Sequence, residues 1–321
     1  MKDSSGLRRI LATVGGHLVL LTAVAAASAP TVLDPCTQPS PDWVFCTGFE
    51  EGNLEIWDDY DGNPAPYNQI VSDPGPLEQE GNHVMRLWVA PGGGLADLLK
   101  VLPGGYDRLY ARWTILWEPG YDFDAPNHGS GIYAGSRDLL GISGIRPDGT
   151  DRFGASVEPQ PPLDRLNLYA YYPGMYQDCV DPNGSCWGDH FPCMLDEGSN
   201  YCTNPDHRET VLPPLLETGR WYCVEMMIDA GTPVSDPAEA DGVMDLWIDG
   251  EEIGPWTGLW FRSTPELQLD LLWLALFHHG EHADAGIRID DVVVSTQPIG
   301  CANSGTPAVR ASWGRLKGAY R

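Results

Sequence analysis

The stretch "LNLYAYYPGM" (166–175) sets two phenols two residues apart. Leu166, Leu168 and Ala170 alternate with Asn167, Tyr169 and Tyr171, which predicts a strand with one apolar face and one face of amide and hydroxyl groups. Two other runs alternate in the same way. "RLYARWTILWE" turns Leu109, Ala111, Trp113, Ile115 and Trp117 to one side and Arg108, Tyr110, Arg112, Thr114 and Glu118 to the other. "RFGASVEPQ" opposes Phe153, Ala155 and Val157 to Arg152, Ser156, Glu158 and Gln160. If the three polar faces line one concave sheet, they form a cleft suited to sugars. Fork-shaped donors would bind hydroxyls and carboxylates, and aromatic rings would stack on sugar faces. The plainer account is a solvated sheet face, where Tyr and Thr are favoured cross-strand residues.

Other residues could do chemistry. "FHHGEH" sets His278, His279 and His282 beside Glu281 and Asp284. His278 and His279 are expected at a cleft as base or sugar contact, or on a loop rim. The i,i+4 spacing of His278 and His282 could hold a metal, but the order is not HExxH and Gly280 disfavours a helix. Glu50 follows the first strand-like run, and Asp290 and Asp291 lie in the last. Hard oxygen ligands of this kind suit a structural calcium, and surface acids of an acidic protein are the alternative. "DLWIDGEEI" holds Asp245, Asp249, Glu251 and Glu252, but it lacks the E-x-D-x-x-E run of sandwich-type glucanases, so hydrolysis is a minor reading.

The elements that must position these groups are strands. Strand-like runs occur at 43–49, 83–89, 96–102, 108–118, 152–160, 166–172, 221–229, 243–249, 268–277 and 287–295, separated by Gly- and Pro-rich turns. Asp249-Gly250 is a tight hairpin turn, because glycine accepts a positive φ there. Many strands and little helical periodicity predict an all-β, two-sheet antiparallel sandwich or jelly roll, held in one domain over 30–302.

The ends differ from the body. Residues 1–29 carry Lys2, Arg8 and Arg9 before an apolar run and small residues, the pattern of a cleaved secretory signal. The expected location is therefore extracellular or periplasmic, with no membrane span. Residues 303–321 form a basic tail with a short stripe of Trp313, Leu316 and Tyr320. Eight cysteines in an exported chain imply disulfides, and Cys179, Cys186, Cys193 and Cys202 predict a long loop stapled on itself. The net charge is −26, from 19 basic and 45 acidic residues, which excludes nucleic acid as a partner. A polysaccharide partner, a monomer and no required cofactor are the remaining expectations.

Several segments resemble a known family. "HGSGIYAG" (128–135) resembles the K-L-P-G-L-Y-G-G segment of family 14-like polysaccharide lyases, and "LNLYAYYPGM" resembles their Y-x-Y strand. "ETGRWYCVEMMIDAGTP" with "ADGVMDLWIDGEEI" is similar to their G-x-W…V-E then W-x-D-G hairpin. "LALFHHG" and "IRIDDVVVS" resemble their closing strands, and "FCTGFEEGN" resembles the opening strand of concanavalin A-like sandwiches. The likeness runs in order over 44–295. It implies a concanavalin A-like jelly roll related to alginate and glucuronan lyases, and β-elimination on uronate polymers. That reaction needs a group to neutralise the sugar carboxylate, a base for the adjacent proton and an acid for the leaving oxygen. Carried over, the family tyrosines match Tyr169 and Tyr171, its serine matches Ser156, and its lysine falls on His128. Tyr169, Tyr171 and His128 then share the base and acid roles, with Arg112 as neutralising cation. Arg108, Tyr110, Glu158, Gln160, Asn167, His278 and His279 would contact substrate. The family arginine falls on Glu158, a reversal of charge. A non-catalytic glycan-binding protein and a structural envelope protein are the alternative readings.

Overall fold

A computed structural model describes residues 35–60, 67–176, 185–194, 212–280 and 285–301. The proposed signal segment, the basic tail, Cys179, Cys202, Glu281, His282 and Asp284 lie outside the described residues. In chain order the strands are β1 (Trp43–Thr47), β2 (Asn68–Ser72), β3 (His83–Val89), β4 (Gly94–Tyr106), β5 (Arg108–Trp117), β6 (Asn127–His128), β7 (Ser130–Gly135) and β8 (Arg152–Gln160). They continue as β9 (Arg165–Tyr171), β10 (Asp189–Phe191), β11 (Trp221–Asp229), β12 (Gly242–Ile248), β13 (Glu251–Glu252), β14 (Trp256–Leu259), β15 (Leu269–His278) and β16 (Ala285–Ser295).

The strands form two antiparallel sheets packed as a sandwich. The first runs β13-β12-β11-β5-β16-β3-β2, with β1 also on β16 and β14 on β12. The second runs β10-β9-β8-β7-β15-β4, with β6 on β15. The alternation read from sequence sets the core. Leu109, Ala111, Trp113, Ile115 and Trp117 of β5 share one apolar cluster with Phe153, Ala155 and Val157 of β8 and with Leu166, Leu168 and Ala170 of β9. Burying each of these large side chains contributes about 1.5–3 kcal/mol, so the period-two pattern fixes which face turns inward.

The hairpin between β12 and β13 turns at Asp249 (φ 52) and Gly250 (φ 87), the doubly left-handed geometry that an Asp-Gly pair accepts. Disulfides join Cys36 to Cys46 and Cys223 to Cys301. Cys186 and Cys193 are also disulfide-bonded. No helix among the described residues is long and apolar enough to cross a membrane.

β5 corrects one expectation. Its neighbours are β11 and β16, with Arg112 opposite Glu225 and Val293, so it belongs to the first sheet while β8 and β9 belong to the second. The three polar faces therefore do not line one concavity. Arg108 is paired with Asp229, Tyr110 lies near Trp247, and Arg112 donates to the carbonyls of Gly300 and Asp291. All three sit on the outer face of the other sheet and leave the candidate site.

The same outer face carries a buried acid, Asp245, which accepts from the Leu246 N–H. Burial, opposed by backbone donors and reinforced by Glu252, pushes its pKa up to about 7. A raised acid pKa means that the folded chain holds this proton to higher pH than the unfolded chain. Stability from this group is full below about pH 4 and falls as pH rises toward 7. Asp245→Asn is expected to remove that fall, worth on the order of 1–4 kcal/mol. Melting temperatures of both proteins between pH 4 and pH 8 check it, and parallel curves would contradict it.

Candidate functional site

The outer face of the second sheet holds a cavity of about 380 Å3. Its floor comes from β4, β6 to β9 and β15, and its roof from residues 136–143, between β7 and β8. Glycines shape the floor. A Cβ at Gly154 would run into the Tyr133 ring, which crosses from the neighbouring strand, so only glycine lets the ring lie there. Gly154→Ala is expected to cost about 1–3 kcal/mol by overpacking. Chemical denaturation checks this, and a shift below a few tenths of a kcal/mol would contradict the packing argument.

The polar end of the cavity is a connected cluster. Nδ1 of His128 lies 3.1 Å from Oε2 of Glu158, and Ser156 Oγ donates to the same oxygen at 2.9 Å. Nε2 of His128 lies 3.0 Å from Nε2 of His279. The His128 ring stacks on Tyr169, with centroids 5.2 Å apart, and on Phe277 at 5.9 Å. Tyr169 hydroxyl donates to Tyr171 hydroxyl at 3.1 Å. The Gly188 and Gly144 amides donate to the Tyr169 and Tyr171 hydroxyls at 3.2 and 3.1 Å. Loop backbone is thus tied to both phenols.

Electrostatics separates these groups. Burial works against a charged His128, but the charge of Glu158 and its hydrogen bond outweigh it, so the imidazole pKa rises above its ordinary value. Burial and the cation at His128, partly offset by Glu158, hold His279 below its ordinary value. Burial and His128 push His190 down to about 3, so its ring is neutral; it stacks on Tyr169, and its Nδ1 lies 2.8 Å from Asn167 Oδ1. Burial, then Tyr171 and Glu158, push the Tyr169 phenol well above its usual range. Tyr169 therefore keeps its proton at neutral pH, which makes His128 the better base.

Of the residues expected at a site, His128, Ser156, Tyr169, Tyr171 and His279 line the cavity together. Glu158 lies beneath His128 and is only 3% exposed, so it is placed to orient the imidazole and not to touch substrate. Asn167 and Gln160 are fully buried; Asn167 donates to the Glu158 carbonyl from behind the site. His278 points away, with Nε2 3.0 Å from the Tyr121 hydroxyl, because neighbours in a strand face opposite sides. Sequence reasoning missed Tyr133, Trp273, Phe277 and the roof residues Leu139, Leu140 and Ile142. Trp273 and Phe277 alternate on β15, which was a usable signal, whereas the roof has no periodicity.

The residues suggested for calcium are spread among other partners. Glu50 faces the backbone and ring nitrogen of His83, while Asp290 accepts from Asn82 Nδ2 and the Asp291 N–H. Among the described residues, no three His, Cys, Asp or Glu side chains converge as a metal group.

No family model and no curated protein matches the chain. Solved structures do. The chain is similar to a marine PL-14 alginate lyase from Aplysia kurodai (TM-score 0.54, 12% identity, covering 79% of this chain and 99% of that one). It is similar to an alginate lyase from Chlorella virus (0.51, 12%, 75% and 93%). It is also similar to an endo-beta-1,4-glucuronan lyase from the fungus Trichoderma reesei (0.50, 14%, 79% and 96%). At these identities the likeness shows a shared jelly-roll fold.

Proposed function

We propose that this jelly roll engages polysaccharide in the His128–Tyr171 cavity and cleaves a uronate-containing glycan there by β-elimination. One observation carries the reading. A histidine oriented by a buried carboxylate and a tyrosine pair converge in one cavity of a fold shared with alginate and glucuronan lyases.

The chemistry follows from the hydrogen bonds. Neutral His128, with its Nδ1 proton held by Glu158, has a lone pair on Nε2. In the resting chain that atom meets His279, an exposed residue that substrate would displace. Nε2 removes the proton on the carbon bearing the carboxyl group. The electron pair forms the C=C bond, and the C–O bond to the leaving sugar breaks. The Tyr171 oxygen accepts from the Gly144 amide and from Tyr169, which leaves its own proton for the leaving oxygen. Glu158 stabilises the imidazolium that results. Mass spectrometry of the products tests the reaction type. Fragments whose masses sum to the parent support elimination, and a gain of one water would overturn it.

A second reading is non-catalytic glycan binding. It is favoured by the loop amides on both phenols, which hold the two rings as fixed sugar-contacting surfaces. Binding without product at every pH would establish it. In either reading the chain is an exported monomer of one folded domain that needs no cofactor, and its disulfides suit an oxidising compartment. A structural calcium at Glu50, Asp290 and Asp291 would be supported by a lower melting temperature on chelation. An unchanged value removes it.

A further inference from the structure

We infer that the substrate of this cavity is a uronate polymer whose carboxyl groups are esterified, the neutral alkyl ester and not the free acid. The inference rests on the elimination reading above and names its substrate class. The proton removed by His128 sits on the carbon that bears the carboxyl group, so that group must lie next to the imidazole. Beside the polar cluster of His128, Tyr169, Tyr171 and His279, the cavity wall that meets the imidazole ring is apolar. Phe277 stacks on the His128 ring, and the wall continues through Trp273 to Leu95 on the floor and Leu140 and Ile142 on the roof.

Charge points the same way. Among the described residues, Arg152 is the arginine that lines the cavity, and its fork is committed: Nη1 donates to Asp151 at 2.6 Å and Nη2 to the Ile145 carbonyl at 2.6 Å. The nearest carboxylate to the base, Glu158, is buried beneath it. The imidazole must be neutral to act as base, and the imidazolium it then becomes is matched one-to-one by that carboxylate, so it offers no spare positive charge. A free uronate carboxylate placed here would be stripped of water against apolar side chains beside another negative charge, which is costly. An ester in the same place has no charge to neutralise. Its carbonyl still withdraws electrons from the neighbouring C–H, and its alkyl group gains apolar contact. In the balanced step the C–H proton goes to His128 Nε2, its electron pair forms the C=C bond, the C–O bond breaks, and the leaving oxygen takes the Tyr171 proton. The ester is unchanged.

Polyglucuronate and alginate, each as free acid and as methyl ester, are incubated with the full chain, and ultraviolet absorbance of unsaturated ends and methanol release are recorded. The expected result is unsaturated ends from a methyl ester with kcat/KM about tenfold or more above the free acid, without methanol. Ile142→Arg, on the half-exposed roof, places a cation in the apolar half and is expected to lower that ratio by about tenfold. Equal or faster cleavage of the free acid overturns the ester inference and leaves the elimination reading standing. No unsaturated ends from any of the polymers, from a chain folded by circular dichroism, overturns both. Methanol release without unsaturated ends also overturns both and makes the site a hydrolytic one.

Discussion

Replacing His128 with glutamine is expected to lower kcat/KM on the cleaved polymer by about 10²–10⁴-fold, the usual contribution of a positioned general base. Glutamine retains an N–H that can donate to Glu158, so the buried carboxylate keeps a partner and Ser156 keeps its place. His128→Ala removes that partner too and should lose the same activity with a further stability cost of about 1–3 kcal/mol. The comparison separates chemistry from packing. Steady-state kinetics and melting curves are measured on both variants. If glutamine preserves activity, His128 is a structural residue and the proton is taken elsewhere.

The second large effect concerns Glu158. One carboxylate oxygen accepts from Ser156 and faces His128 Nδ1, so the carbonyl of Glu158→Gln can occupy the same place and keep both contacts. Only the charge goes. The His128 pKa is raised because Glu158 outweighs burial, so without that charge burial dominates and the pKa falls. Activity needs neutral His128 and therefore rises with pH through this pKa. The wild-type limb is expected above the ordinary histidine value, and in Glu158→Gln it should move to lower pH. The plateau should drop by about 10–100-fold, because the imidazolium formed in the reaction has lost its counter-charge. A pH profile of kcat/KM reads both effects at once. A limb that stays in place, or moves up, would contradict the pairing.

Much of this fold was legible in sequence because each strand reports its own inward face. The apolar sets of β5, β8 and β9 all lie in the core where alternation put them. Sheet membership was not legible. β5 alternates as β8 and β9 do, but its partners, β11 and β16, lie more than a hundred residues away, and nothing within β5 encodes them. Arg108, Tyr110 and Arg112 were lost from the site for that reason alone. Depth was also hidden. Glu158, Gln160 and Asn167 occupy the polar face of their strands and are nevertheless buried, because that face is covered by other parts of the chain. The short strands β6 and β10 gave no periodic signal, yet β6 carries His128 and β10 carries His190. The reversal of charge at position 158 looked in sequence like a repelling group. In the fold it is the partner of the imidazole.

In the proposed function, the His128–Glu158–tyrosine cavity performs β-elimination. The most direct measurement is the appearance of ultraviolet-absorbing unsaturated ends from polyglucuronate and alginate, as acids and as methyl esters, with wild type and His128→Gln side by side. Steady absorbance growth is expected with wild type on at least one polymer, and almost none with the variant. New reducing ends without absorbance, or equal absorbance from both proteins, would contradict it.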